Sequence, residues 1–151
     1  MSEFTPRFDG FAQKIRDSFA QQKAMQTIGI TMADVSPGHV ELSMPFNPDF
    51  TQQHGFIHAG IITTALDSAC GYAAASLMEK DASVLTVEFK TNLLAPAAGE
   101  RFHIRAKVIK SGRTLTVADG TAYACKGGQE TPIATMTATL MAITYRSEKS
   151  N

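Results

Sequence analysis

The hydrophobic pattern of this chain changes period twice. Over Phe8 to Gly29, Phe8, Phe11, Ile15 and Phe19 fall on one helical face. Ser18 and Gln21 stand at capping-box spacing, which predicts that the helix restarts there, and Gly29 predicts its end. Ile30 to Val35 and Val40 to Met44 then flank Ser36-Pro37-Gly38-His39, whose Pro-Gly centre suits a type II turn. Val40, Leu42 and Met44 alternate with Glu41 and Ser43, so a hairpin with one buried face is predicted. Prolines and Asn47 mark Met44 to Gly55 as a loop.

The helical period returns from His58 to Glu79. Here Ile61, Ile62, Ala65, Leu66, Ala69, Cys70 and Ala73 cover most of the circumference, which predicts a buried helix. Four strands follow. Leu85, Val87, Phe89, Thr91 and Leu93 are expected on one face of the first. In the second, Phe102, Ile104, Ala106 and Val108 alternate with Arg101, His103, Arg105 and Lys107. Ser111-Gly112 and Gly127-Gly128 turn the chain into Thr114 to Ala124 and then Ile133 to Tyr145, as antiparallel neighbours. A hairpin, one buried helix and a meander of about four strands predict an α+β domain. Its curved antiparallel sheet wraps the central helix, with a further helix at the N-terminus. Residues 1–29 are read as an N-terminal helical segment of the same domain, 30–146 as its body and 147–151 as a tail.

Composition narrows the possibilities. The 151 residues suit one domain. Fourteen basic residues against fourteen acidic ones leave no excess to hold a nucleic-acid backbone, and little charge to oppose self-association. The N-terminus lacks a signal-peptide core, and no apolar run reaches the roughly 18–20 residues of a membrane span. Cys70 and Cys125 are read as buried free thiols of a cytoplasmic protein. His39, His54 and His103 share no ligand spacing, so no metal is assigned. A glycine-rich phosphate loop is also missing.

Asp67 is the charge inside the apolar helix, and a buried carboxylate needs partners or a function. It can attack an acyl carbon or act as general base toward water. The amides of Ala59 and Gly60, just after His58, lack intrahelical partners and sit at the positive end of the helix dipole. They are candidates for an oxyanion hole, with the small residues admitting the substrate carbonyl. Nine residues along a helix put His58 and Asp67 on opposite faces, roughly 13 Å apart along the axis. One helix cannot aim both at one carbonyl, whereas two antiparallel helices of a twofold dimer can. Gln52, an uncharged donor and acceptor, is a candidate to orient the attacking water or the carbonyl.

The stretch Gln52 to Gly60, followed by Asp67, resembles the PaaI-like (phenylacetate-degradation) group of hotdog thioesterases, with Gln52, Gly55, His58 and Asp67 on its motif positions. Thr86-Val87-Glu88-Phe89, Leu94-Ala95-Pro96, Ser111 to Leu115 and Ala134 to Thr139 extend the likeness, which spans Met25 to Tyr145. Ala59 departs from it, since glycine is usual there. The resemblance implies a hotdog fold and an acyl-CoA thioesterase working as a homodimer or homotetramer. Asp67 would be nucleophile or general base, and His58 would shape the thioester pocket. Coenzyme A enters as part of the substrate, and no cofactor is assigned. Lys107, Lys110 and Arg113 around Ser111-Gly112, with Lys90, Arg105 and Thr86, are candidates to contact it. Two other readings stand beside this one: an acyl-CoA hydratase or dehydratase, which would rely on a histidine base, and a non-catalytic acyl-CoA-binding protein. The acyl group itself is not legible.

Overall fold

A computed structural model describes residues 3–145, so the expected tail at 147–151 lies outside the described residues. In chain order the elements are α1 (Phe11–Ala20), α2 (Lys23–Ile28), β1 (Thr31–Ser36), β2 (His39–Pro45), a 3₁₀ turn (Pro48–Phe50), α3 (Ala59–Ala75), β3 (Ala82–Leu93), β4 (Arg101–Ser111), β5 (Leu115–Lys126) and β6 (Gln129–Thr144). All strand pairs are antiparallel, in the order β1-β2-β4-β5-β6-β3, and α3 packs against five of the six strands. This is the hotdog arrangement.

The N-terminal helix is two helices. Phe8 precedes α1, whose Ile15 and Phe19 are buried. The expected capping box does not form: Gln22 is the N-cap of α2, and the Ser18 hydroxyl instead lies 3.2 Å from the Tyr72 hydroxyl. Gly29 ends α2 in the left-handed conformation, φ 83°, as its position predicts. Ile15, Phe19, Met25 and Ile28 belong to the same core as α3.

Two expectations for the later strands need correction. The meander holds for β4-β5-β6, but β3 crosses to the far edge and pairs with β6. The connection from β3 to β4 is too long for a hairpin turn and passes beneath the start of α3, where the Ala97 carbonyl accepts from the Ile57 amide at 3.1 Å. The five apolar residues of β3 also do not share a face. Thr86 pairs with Leu140 and Glu88 with Thr139, which leaves Val87 as a bulge. An extra residue reverses the alternation. Phe89, Thr91 and Leu93 therefore stand beside buried Ala138, Met136 and Ala134 on the helix side, while Leu85 pairs with Met141 on the other. The β4 pattern holds as expected, with Phe102, Ile104, Ala106 and Val108 buried.

Small residues let α3 settle deeply into this sheet. Ala65 and Ala69 of α3 and Ala118 and Ala122 of β5 are all fully buried. A Cβ at Gly120 would lie 3.1 Å from both Cys70 Sγ and Leu66 Cδ2, so either side chain would have to shift to admit it. Ending at Ala75, α3 stops short of the predicted Glu79, because Ser76 turns its hydroxyl back onto the Ala73 carbonyl at 2.6 Å. The same oxygen accepts from the Gly38 amide at 2.8 Å, tying the helix end to the β1–β2 turn. Gly38 there has φ 76°, as a type II turn requires. Among the described residues no helix is long and apolar enough to cross a membrane.

Ser76 is completely buried. Ser76→Ala should orphan the Gly38 amide and cost about 1–3 kcal/mol. The expected reading is a lower urea midpoint with an unchanged slope. A wild-type midpoint would show that this tie contributes nothing.

Candidate active site

The sheet leaves one stripe of α3 uncovered. Gly60, Thr64, Asp67 and Ser68 are partly or fully exposed along it, whereas Ile62, Ala65, Leu66, Ala69 and Cys70 are buried. Asp67 is thus a half-buried carboxylate rather than one sealed in the core. The Thr86 hydroxyl donates to Asp67 Oδ1 at 2.8 Å and fixes its orientation. Thr86 pairs with buried Leu140, just before the bulge, which aims it at the helix. Thr86, expected as a coenzyme A contact, therefore sits on the carboxylate. One turn on, burial, then the charges of Asp67 and Asp119, push the Cys70 thiol up to about 12, so it stays protonated. It offers no nucleophile.

At the other end, His58 caps α3. Its Nδ1 accepts from the Gly60 amide at 2.9 Å, which leaves the proton of a neutral imidazole on Nε2. A Cβ at Gly60 would come within 3.1 Å of that nitrogen, so glycine makes room for the ring. The Gly60 amide is thus engaged by His58, and its missing side chain leaves room for the ring. The amide of Ala59 has no partner among the described residues. Ala59 is the first residue of α3, and no described residue other than glycine has positive φ, so alanine fits there without backbone strain. Gln52 Oε1 accepts from the His54 amide, leaving the side-chain NH₂ to donate.

These two ends open into different cavities. One of about 260 Å³ is lined by Asp67 and Thr86 together with residues of α1. The other, about 390 Å³, is lined by Gln52, Ala59 and apolar residues such as Phe56, Ile62 and Leu93. The expected opposition of faces is not what separates them. His58 lies outside the helix as its cap, and Gly60 and Asp67 share the uncovered stripe. The axial gap from Gly60 to Asp67 remains, about 10 Å over seven residues. Of the coenzyme A candidates, Lys90 and Lys110 pair with Thr137 and Val117 on the outer face of the sheet. Ser111 lines a third cavity beside Arg7, and Arg113 lies in the β4–β5 turn. None of these four lines either cavity of the site.

Comparison with known proteins fits this geometry. The sequence profile of the thioesterase superfamily matches residues 54–131. A crystal structure of a thioesterase family protein from Silicibacter pomeroyi is 64% identical, with a TM-score of 0.89 over 90% of this chain and all of that one. A Saccharolobus solfataricus protein named as an esterase is 31% identical over 110 residues, 73% of each chain. Human acyl-coenzyme A thioesterase 13 is 31% identical over 87 residues, 57% of this chain and 61% of that protein.

One cluster escaped the sequence reading. Cys125 is not buried: it lies on the outer sheet face with its sulfur 3.5 Å from His103 Nδ1, and Glu130 completes a group whose ligand atoms fall within 4.8 Å of one another. That spacing suits a metal ion, but Arg105 already donates to both Glu130 oxygens, at 2.7 and 2.8 Å. The three residues come from three strands, so no linear motif announces them. Arg105, then His103, hold the Glu130 carboxyl down at about 2. A lowered folded-state value means that the pair's contribution is complete above the ordinary 4.5 and is lost as pH falls through about 2. The thermal midpoints of wild type and Glu130→Gln should differ near neutral pH and converge by about pH 2. Salt should narrow the gap, since the pair is partly exposed. A gap independent of pH would remove the ion pair as its cause.

Proposed function

This chain belongs to the thioesterase superfamily, and from that premise we propose that it hydrolyses an acyl-CoA thioester to the free acid and CoA at sites shared between two subunits. The observation that carries this reading is Asp67, a carboxylate oriented by Thr86 on the uncovered stripe of an otherwise apolar helix. Asp67 either attacks the thioester carbonyl or takes a proton from the water that does. The carbonyl oxygen takes up negative charge beside the Ala59 amide, at the positive end of α3, and the Gln52 NH₂ is a second donor. The carbon–sulfur bond then breaks. On the general-base route the proton that Asp67 took from water passes to the departing CoA sulfur. On the nucleophilic route CoA leaves as thiolate and water hydrolyses the acyl–Asp67 anhydride to the free acid, with the proton released taken up by the thiolate. The neutral His58 holds the first turn in place instead of transferring protons. That role favours hydrolysis over a hydratase, which needs a histidine base.

The second subunit follows from what this chain leaves open. β3 is a 12-residue edge strand, and Val87, Phe89 and Leu93 are 55%, 46% and 61% exposed along it. Such an edge invites pairing with another strand. Beside it, Thr91 Oγ1 is buried without a hydrogen-bond partner. Two copies joined by antiparallel β3 edges would continue the sheet and set their α3 helices antiparallel. Asp67 of one copy would then face Ala59 and Gln52 of the other.

Asp67→Asn should lower acyl-CoA turnover by at least roughly a hundredfold while leaving the fold intact. Turnover within a few-fold of wild type would remove Asp67 from the mechanism. Mixing the inactive variants Asp67→Ala and Gln52→Ala under subunit exchange should restore activity, because each heterodimer regains one complete site. A monomer with full activity would defeat the shared site.

A further inference from the structure

The two cavities differ in chemistry, and that difference bears on the acyl group, which the family leaves open. The Gln52 cavity is walled by Phe56, Ile57, Ile62, Leu93, Pro96 and Ile133. The Asp67 cavity carries hydrogen-bonding groups over much of its wall, and the N-terminal helices supply them: Lys14 and Ser18 from α1 and Gln22 ahead of α2, opposite Ser68 and Tyr72 of α3. Ser18 Oγ and the Tyr72 hydroxyl lie 3.2 Å apart, and Ser68 donates to Gln22 Oε1 at 3.2 Å. Lys14 Nζ donates to the carbonyls of Ala82 and Glu79, at 2.7 and 3.3 Å. An ammonium has three donors, so one remains beyond these two carbonyls, with the Phe8 ring centroid 6.0 Å from Nζ. Burial lowers the Lys14 pKa, with Asp81 opposing, as befits a cation partly withdrawn from water.

Size decides which part of the substrate enters here. At about 30 Å³ for each water-sized volume, a cavity of about 260 Å³ holds on the order of nine non-hydrogen atoms. The pantetheine arm is longer and must also reach solvent to carry its nucleotide, which suits the larger Gln52 cavity of about 390 Å³. The acyl group is therefore the part that ends beside Lys14. A plain alkyl tip there would strip water from the ammonium and the hydroxyls and return nothing, which costs more than a lost methylene contact.

Resting on the thioesterase reading above, we propose that the substrate is a short acyl-CoA whose far end carries an oxygen acceptor, either hydroxyl or carboxylate, and that Lys14, Ser18 and Tyr72 determine this specificity. The test compares hexanoyl-CoA with 6-hydroxyhexanoyl-CoA and adipyl-CoA, which share its chain length. At least one oxygen-tipped substrate should exceed hexanoyl-CoA in kcat/KM by about tenfold or more. Preference for adipyl alone would assign the tip to the ammonium, and preference for the hydroxyacyl alone would assign it to the Ser18–Tyr72 pair. Lys14→Met in the first case, or Tyr72→Phe and Ser18→Ala in the second, should bring the ratio toward one. Should hexanoyl-CoA be cleaved as fast as both, or the ratio survive all three substitutions, this inference fails and the thioesterase reading stands. Failure to cleave any thioester of a wider acyl-CoA panel would overturn both.

Discussion

A helix as apolar as α3 must be covered over most of its circumference, and the curved sheet, with α1 and Gln22 against Ser68 and Tyr72, covers all of it except one stripe. The depth of that seating is set by side-chain size. Ala65, Ala69, Ala118 and Ala122 are fully buried small residues that let helix and sheet approach, and a carbon added at Gly120 would press against Cys70 and Leu66. Larger side chains at these places would lift α3 away from β5 and move both ends of the site. The carboxylate can exist on this helix because the stripe is where the sheet stops. Asp67 keeps one side toward a cavity and accepts a hydrogen bond from Thr86 on the edge strand. A charge placed a third of a turn away would be sealed among Leu66, Ala69 and Cys70 at the cost of an uncompensated ion.

Most of the layout could be read from periodicity, because burial imposes it. The change from period two to period 3.6 and back located the hairpin, α3 and the later strands. The two faces of β4 were legible for the same reason. What escaped depends on information that spacing lacks. The bulge at Val87 is a property of register between β3 and β6, and no feature of the β3 sequence alone reveals that Leu85 and Phe89 face opposite ways. The crossing of β3 to the far edge depends on which partner its edge finds. The outer cluster of His103, Cys125 and Glu130 needs β4, β5 and β6 already in register.

Within the site, residue identities were more legible than their relations. The motif around Gln52, His58 and Asp67 singled out segments of the chain that border the two cavities. It did not show that the His58 ring turns back onto the Gly60 amide, which leaves Ala59 to offer the first free donor. Nor did it show Thr86 as the partner of Asp67, since that contact depends on the bulge one residue later. Local capping chemistry and a register shift decide these two points, and both act over distances that a helical wheel cannot represent.

The same geometry bears on why the proposed site would be divided. Gly60 and Asp67 share the uncovered stripe of one rigid helix, so no side-chain rotation can close the axial gap of about 10 Å between them. A single chain could close it only by bending α3, and bending would break the close packing at Gly120. On the proposed assembly a twofold axis would supply the missing half without disturbing either helix, because antiparallel stripes would bring the start of one α3 opposite the middle of the other. The exposed apolar edge of β3 would give that association its driving force. On the proposed assembly, the surface that binds two copies and the surface that cleaves substrate are one continuous face. Weakening the edge should therefore cost catalysis before it costs the fold of the subunit.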